Sequence, residues 1–477
     1  MLETKDIEAI VKQIVSSMDL SSLQAPSQSV TSSCSSSSDW GVFDRIEDAI
    51  DAAFKAQKIW VDKYKIEDRD RIIEAIRATG REHAKELAEM IVAETKMGNV
   101  PDKIEKHLVT CDKTPGTECL TTDAMTGDNG LMLEEFGPFG VIGSITPSTN
   151  PTETMINNTI SMIAGGNSVV FNVHPAAKNV CGHCMRLLNK AIVDAGGPRD
   201  LITMVKAPTM DTVKVLTSSP KIRLMAGTGG MPMVNSLLRS GKKTIGAGAG
   251  NPPVVIDETA DVALAAREVF KGASFDNNLL CFDEKEVFVV NPVADEFIKN
   301  MQSEGAYLLN RTELDKILNL VFIHNEKGYD VNKKWVGKGA SLMLEEIGIH
   351  NQHTKLLICD VPADHPFVLV EQLMPVLPIV RCRSFEEAME GAVVAEHGNR
   401  HTASMYSKNV DNLTKFAKLI ETTIFVKNGA NLRGVGIGGN GHTTMTIAGP
   451  TGEGLTCARS FTRRRRCMLA DGGFRIV

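Results

Sequence analysis

The feature that most constrains this chain is a repeated switch of hydrophobic period that begins near residue 139. "FGVIGSIT" is a short apolar run of strand type, and "PTETMINNTISMIAGG" follows it as a helix with Pro151 at its start. "NSVVFNV" is the next strand, and the helix "PAAKNVCGHCMRLLNKAIVDAGG" comes after it and stops at a glycine pair. "LITMV", a helix from about residue 209, and "KIRLMAG" continue the series. Strands alternating with helices in this rhythm build a parallel sheet covered on both faces. A second alternation runs from "NPPVVID" at 251 to about 440, with no internal repeat, and residues 44–60 and 66–94 read as helices. At 477 residues the chain exceeds one ordinary core, and length alone suggests roughly three domains, or fewer with a large α/β unit.

The first 40 residues differ in kind. In "MLETKDIEAIVKQIVSSM" the residues Leu2, Ile7, Ile10, Val11, Ile14, Val15 and Met18 share one stripe at helical spacing. "DLSSLQAPSQSVTSSCSSSSDW" then reads as a flexible serine-rich linker. A lone helix of this length is marginal in water, so it needs a surface to dock on. Some twenty residues of slack argue against its own body as that surface, and a polar face of mixed charge argues against a membrane. No apolar stretch approaches a membrane span, and no secretory signal is expected. The ten scattered cysteines read as mostly inert free thiols of a reducing cytosol.

Three motifs fail on context. "CGHC" (181–184) has dithiol spacing, but it sits inside a predicted helix instead of at a helix N-terminus, and no second cluster completes a zinc site. "GVGIGGNG" (434–441) has the dinucleotide spacing at Gly436, Gly438 and Gly441, but no helix follows to meet a pyrophosphate. "RRRR" (463–466) reads as a charged strand rather than a nucleic-acid site, given a net charge of −6.

A different set of segments carries more. "TPSTNP" (146–151) lies in a strand-to-helix turn, where α/β sheets place ligand groups. "AGTGG" (226–230), "GAGAGNPP", "SFDNNLLC" and "EQLMPVLP" (371–378) follow in order. With "HPAAK", "TTIFVKNG" and "PTGEG", they resemble the aldehyde dehydrogenase superfamily over essentially the whole chain. More narrowly the sequence is similar to the coenzyme-A-acylating branch, and within it to the propionaldehyde and acetaldehyde dehydrogenases of bacterial microcompartments.

The resemblance implies an α/β fold with a Rossmann-like cofactor domain (40–126, 146–245 and 445–465) and a catalytic α/β domain (246–444). A small β oligomerisation element (127–145 and 466–477) completes it and implies a homo-oligomer. Residues 1–18 become an encapsulation helix for a shell protein, on the linker 19–39, which places the enzyme in the cytoplasm within a microcompartment. Cys281 becomes the nucleophile, with Asn150 and its own backbone N–H holding the oxyanion. Thr146, Pro147, Ser148, Thr149, Gly229, Gly230 and Gly248 line a dinucleotide cleft, and Glu371 holds the nicotinamide ribose. His174 and Pro175 stand at the adenosine end, where Asn172 replaces an expected lysine and leaves the choice between NAD and NADP open; NAD is the expected cofactor. No metal is implied. Ala247 stands where hydrolytic relatives carry a glutamate base for water, which favours acyl transfer to coenzyme A. The alternatives are a hydrolytic or phosphorylating aldehyde dehydrogenase and a non-catalytic shell-binding protein.

Overall fold

Six parallel strands form the first sheet, in the order β1 (Val42–Phe43), β6 (Ile202–Val205), β5 (Ser168–Asn172), β4 (Val141–Ile145), β7 (Ile222–Thr228) and β8 (Lys243–Ala247). The computed structural model describes residues 39–326 and 328–470. The expected helix at 1–18 and nearly all of the linker at 19–39 lie outside the described residues.

The second sheet has seven parallel strands. Their order is β11 (Tyr307–Leu308), β14 (Leu357–Asp360), β15 (Val376–Cys382), β10 (Glu286–Val290), β9 (Pro253–Ile256), β16 (Thr402–Tyr406) and β17 (Ile424–Lys427). An antiparallel sheet joins β2 (Asp123–Gly127), β3 (Gly130–Pro138) and β20 (Thr462–Leu469). Two small hairpins, β12–β13 (Phe322–Asn325 and Gly328–Val331) and β18–β19 (Ile447–Ala448 and Gly454–Leu455), complete the strands described.

Every residue of β4, β5, β9 and β10 is buried. Helices cover both faces of a parallel sheet, so its central strands read as unbroken apolar runs, the signal visible in the sequence. The helix Pro151–Ala164 is buried along its whole length. Its two central asparagines are bonded: Asn158 Nδ2 donates to Ser144 Oγ (3.1 Å), Asn157 Nδ2 to Thr114 Oγ1 (2.9 Å), and Asn157 Oδ1 accepts from Met445 N–H (3.1 Å), whereas the Thr159 and Ser161 hydroxyls are buried without a partner.

The expected strands coincide with β4 to β7, and the helix expected near 209 is Met210–Ser218, capped by Thr209. The stretch 66–94 is two helices, Ile66–Glu82 and Ala84–Thr95, separated at His83. The expected domain limits cut through strands. Val141–Ile145 was grouped with the small β element, but it lies at the centre of the six-stranded sheet, paired with β5 and β7. The hairpin instead starts at Asp123, and the boundary at 465/466 falls inside β20. Likewise the boundary at 245/246 falls inside β8. Hydrogen bonds to neighbouring strands, which composition does not reveal, decide each case.

The three motifs set aside on context sit as follows. "CGHC" lies within the helix Lys178–Asp194 with both cysteines in the core, where burial pushes both thiols up. In "GVGIGGNG" the loop is tied by Lys113 Nζ, which donates to the carbonyls of Gly436 (2.6 Å) and Gly439 (2.8 Å). "RRRR" lies in β20, and Arg464 and Arg466, on one face, both reach Glu134 of β3.

Candidate active site

The order of the first sheet places β4 in the middle, with the chain moving to one side through β5 and β6 and to the other through β7 and β8. A crevice opens at such a reversal, beyond the carboxyl ends of the strands. Thr146, Pro147, Ser148 and Thr149 follow β4, and His174 and Pro175 follow β5. Gly229 and Gly230 follow β7, and Gly248 follows β8. All nine expected cofactor residues from this sheet therefore lie at one edge. Thr146 Oγ1 is buried without a hydrogen-bond partner. A Cβ on Gly248 would meet Met231 Sδ at 2.5 Å, so a larger residue there would have to displace the Met231 side chain.

Cys281 stands in a tight turn before β10. Asp283 Oδ2 accepts from Leu280 N–H (3.0 Å) and Leu280 O accepts from Asp283 N–H (3.2 Å). Lys285 Nζ donates to Asn278 O (2.8 Å), Asn278 Oδ1 (2.6 Å) and Leu280 O (2.9 Å), so one buried ammonium clamps the segment leading to Cys281. Upstream, Asp276, Asn277 and Asn278 have φ of 46°, 59° and 59°. Asp and Asn are the non-glycine residues that best tolerate this left-handed region, which accounts for the "DNN" triplet. Cys281 is half-buried. Burial pushes its thiol up to about 12, with the Glu371 carboxylate adding to the rise and Lys285 opposing it.

Glu371 and His401 come close to the Cys281 segment through Gly250. Gly250 N–H reaches Glu371 Oε1 at 3.4 Å. A Cβ on Gly250 would lie 2.5 Å from Cys281 O and 3.0 Å from His401 Cγ, so glycine lets the three groups approach. Burial raises the Glu371 carboxyl to about 7. Burial, with Lys285, lowers the His401 imidazole to about 4. His401 is thus neutral, with Nδ1 on Thr402 Oγ1 (2.9 Å) and Nε2 buried and unpartnered.

Asn150 is the N-cap of the helix Pro151–Ala164, yet its side chain makes no cap bond. Its Oδ1 instead accepts from Lys106 Nζ at 2.6 Å. Lys106 also donates to Asp276 Oδ2 (2.6 Å) and lies 3.3 Å from Glu153 Oε1. Lys103, one turn earlier on the helix Val100–Lys113, reaches the same Asp276 oxygen (3.0 Å) and Thr149 O (3.3 Å). All four charged side chains are 0% exposed. Burial opposes charge on Lys106, but Asp276 and Glu153 outweigh it and hold the ammonium above its ordinary value. Burial likewise opposes charge on Glu153, but Lys106, His107 and Lys103 bring it down to about 2. This network joins the turn bearing Asn150 to the turn leading to Cys281.

The structure thus brings Cys281 and Glu371 together and links Asn150 to the same segment. It adds Lys106, Asp276, Lys285 and His401, which the sequence reading missed. "DNN" was a legible signal for the Asp276 turn. The lysines carried none, since "VPDKIEKHLV" looks like any solvated helix.

Comparisons with known proteins agree on one assignment. The model of the aldehyde dehydrogenase family matches residues 31–454. An acetaldehyde dehydrogenase (acetylating) of Bilophila wadsworthia is 47% identical, over 99% of both chains. The structure of a propionaldehyde dehydrogenase from the fucose utilisation bacterial microcompartment of Clostridium phytofermentans superposes with a TM-score of 0.88 at 49% identity, covering 91% of this chain and 99% of that one. A propionaldehyde dehydrogenase of Rhodopseudomonas palustris, solved with bound CoA and an acylated cysteine, gives 0.88 at 46%, with coverage of 91% and 99%. With the family match spanning most of its length, this chain belongs to the aldehyde dehydrogenase family.

Proposed function

We propose that the chain oxidises a short-chain aldehyde, propionaldehyde or acetaldehyde, to its acyl-CoA with reduction of NAD, through a thioester on Cys281. Ala247, the last residue of β8, carries the choice of acceptor: its methyl group is buried and cannot take a proton from water. Cys281 gives up its proton to solvent and forms the S–C bond to the aldehyde carbon. The carbonyl oxygen becomes an oxyanion between Cys281 N–H and Asn150 Nδ2. The bound nicotinamide supplies the hydride acceptor. Departure of that hydride restores the C=O bond and leaves an acyl-thioester on Cys281. The thiol of coenzyme A then attacks the thioester, and the Cys281 sulfur leaves and regains its proton.

The residues fit a nicotinamide dinucleotide. Thr146 Oγ1 offers an unpartnered polar atom in the crevice, and Glu371 has spare acceptor capacity for ribose hydroxyls. Gly229 and Gly230 lead into the helix Met231–Leu238, whose N-terminal N–H groups suit a phosphate. His174 and Pro175 stand at the adenosine end. Met125, Met468 and Leu469 are exposed on the three-stranded sheet, which suits pairing with a second copy in a homo-oligomer. No helix among the described residues is long and apolar enough to cross a membrane. By likeness to a relative from a bacterial microcompartment, the enzyme works inside such a compartment in the cytoplasm, and the apolar stripe of residues 1–18 would serve to bind a shell protein.

Cys281→Ala is expected to lower NADH formation from propionaldehyde, NAD and coenzyme A by at least about 10⁴-fold. Wild-type protein without coenzyme A is expected to form one NADH per site and stop. Sustained turnover there would establish water as acceptor and overturn the reading.

A further inference from the structure

We propose that Lys106 is a positioning residue that fixes which end of the Asn150 carboxamide faces the oxyanion; this rests on Cys281 and Asn150 acting as described above. A carboxamide has two ends of nearly equal size, and only the NH₂ end helps an oxyanion. Presented the other way, the amide oxygen would repel the developing charge. Local structure does not choose between the ends. Pro151 has no N–H to donate, and the Asn150 side chain makes no helix cap. The one other contact of the amide, Nδ2 to Thr149 Oγ1, is long at 3.4 Å.

An ammonium donates only. At 2.6 Å from Asn150, Lys106 Nζ therefore holds the oxygen end and leaves Nδ2 pointing away. Asp276 (2.6 Å) and Glu153 (3.3 Å) anchor the ammonium, and Lys106 is 0% exposed, so water cannot replace it at the amide. The backbone of Asn150 is fixed separately, since its carbonyl accepts from Thr154 N–H (3.1 Å) and Thr154 Oγ1 (2.6 Å). Only the amide plane is left for Lys106 to set. The paired charge also polarises the amide, making its N–H groups stronger donors. Asp276 carries the same network to the segment before Cys281, so both sides of the oxyanion site share one anchor.

The test variant is Lys106→Met with Glu153→Gln. It removes one cation and one anion and leaves the Lys103–Asp276 pair intact. Glu153→Gln alone is the control, and Lys106→Leu in the same background replaces the methionine variant if that fails to fold. Two rates are measured on the full-length enzyme: first-turnover NADH formation with propionaldehyde and NAD, and alkylation of Cys281 by iodoacetamide. Alkylation forms no oxyanion, so it reports thiol access and local folding alone. The first-turnover rate is expected to fall about 100-fold, as for loss of one oxyanion donor, with alkylation unchanged and the control near wild type. Adding Asn150→Ala is expected to slow the reaction little further. Equal losses in both rates, or an unchanged first turnover, would overturn the proposal. If Asn150→Ala alone keeps the wild-type rate, the oxyanion reading itself fails. If that variant slows and the Lys106 variant does not, only the lysine proposal falls.

Discussion

Two buried clusters of charge flank the Cys281 turn, and they solve the cost of burial in opposite ways. The first holds Lys103, Lys106, Glu153 and Asp276, two cations and two anions in contact. The second is the run Asp283, Glu284, Lys285 and Glu286, with three acids to one cation, all at most 2% exposed. In the first, each ion has an opposite charge within 3.3 Å, which favours the charged forms of Lys106 and Glu153, although burial and the neighbouring Lys106 lower Lys103. In the second, Lys285 bonds only neutral oxygens of Asn278 and Leu280. Burial pushes the Asp283 and Glu286 carboxyls well up and Glu284 to about 8. Burial thus favours the protonated form of all three acids. Balanced buried charges stay ionised and can aim a dipole, whereas an excess of one sign is neutralised by protonation.

The largest effect that separates the two is on stability. Lys106→Met alone leaves three charges where four balanced, and is expected to cost about 3–5 kcal/mol in urea unfolding. Adding Glu153→Gln restores balance and is expected to recover most of that. A double variant as unstable as the single would break the account of the first cluster. Lys285→Met is expected to cost less, about 1–3 kcal/mol, because it strips donors from three oxygens but leaves the neighbouring acids neutral. A loss as large as that of Lys106→Met would mean those acids are ionised, and the contrast would vanish.

The smallest effect is the most diagnostic, because its sign differs between the clusters. Glu153 has a depressed folded-state value of about 2. The stability it contributes is present above its unfolded value of about 4.3 and is lost as pH falls through about 2. Glu284 is raised to about 8. Its folded form binds a proton more tightly than the unfolded chain, so stability falls as pH rises from about 4.3 through about 8. Glu153→Gln is therefore expected to flatten the acid limb of Tm against pH, and Glu284→Gln the alkaline limb. Both variants flattening the same limb would contradict the assignment.

Local periodicity carried the architecture. β4 to β7 and the helix Pro151–Ala164 were legible because strand and helix patterns are short-range properties of consecutive residues. Sheet membership was not: Val141–Ile145 adjoins the hairpin in sequence, but it belongs to the six-stranded sheet through its pairing with β5 and β7. Cys281, Glu371 and the crevice loops were named by resemblance to a family. Their convergence through Gly250 needed coordinates.

By itself, then, the sequence determined the parallel α/β class and set aside "CGHC" and "RRRR" as sites on their context. Only the tertiary structure decided that Lys106 is an interior residue. It and Asp276 are 170 residues apart, and each alone reads as an ordinary surface charge. A buried charge is stable only beside its partner, and which partner folding brings to it is a property of the whole chain.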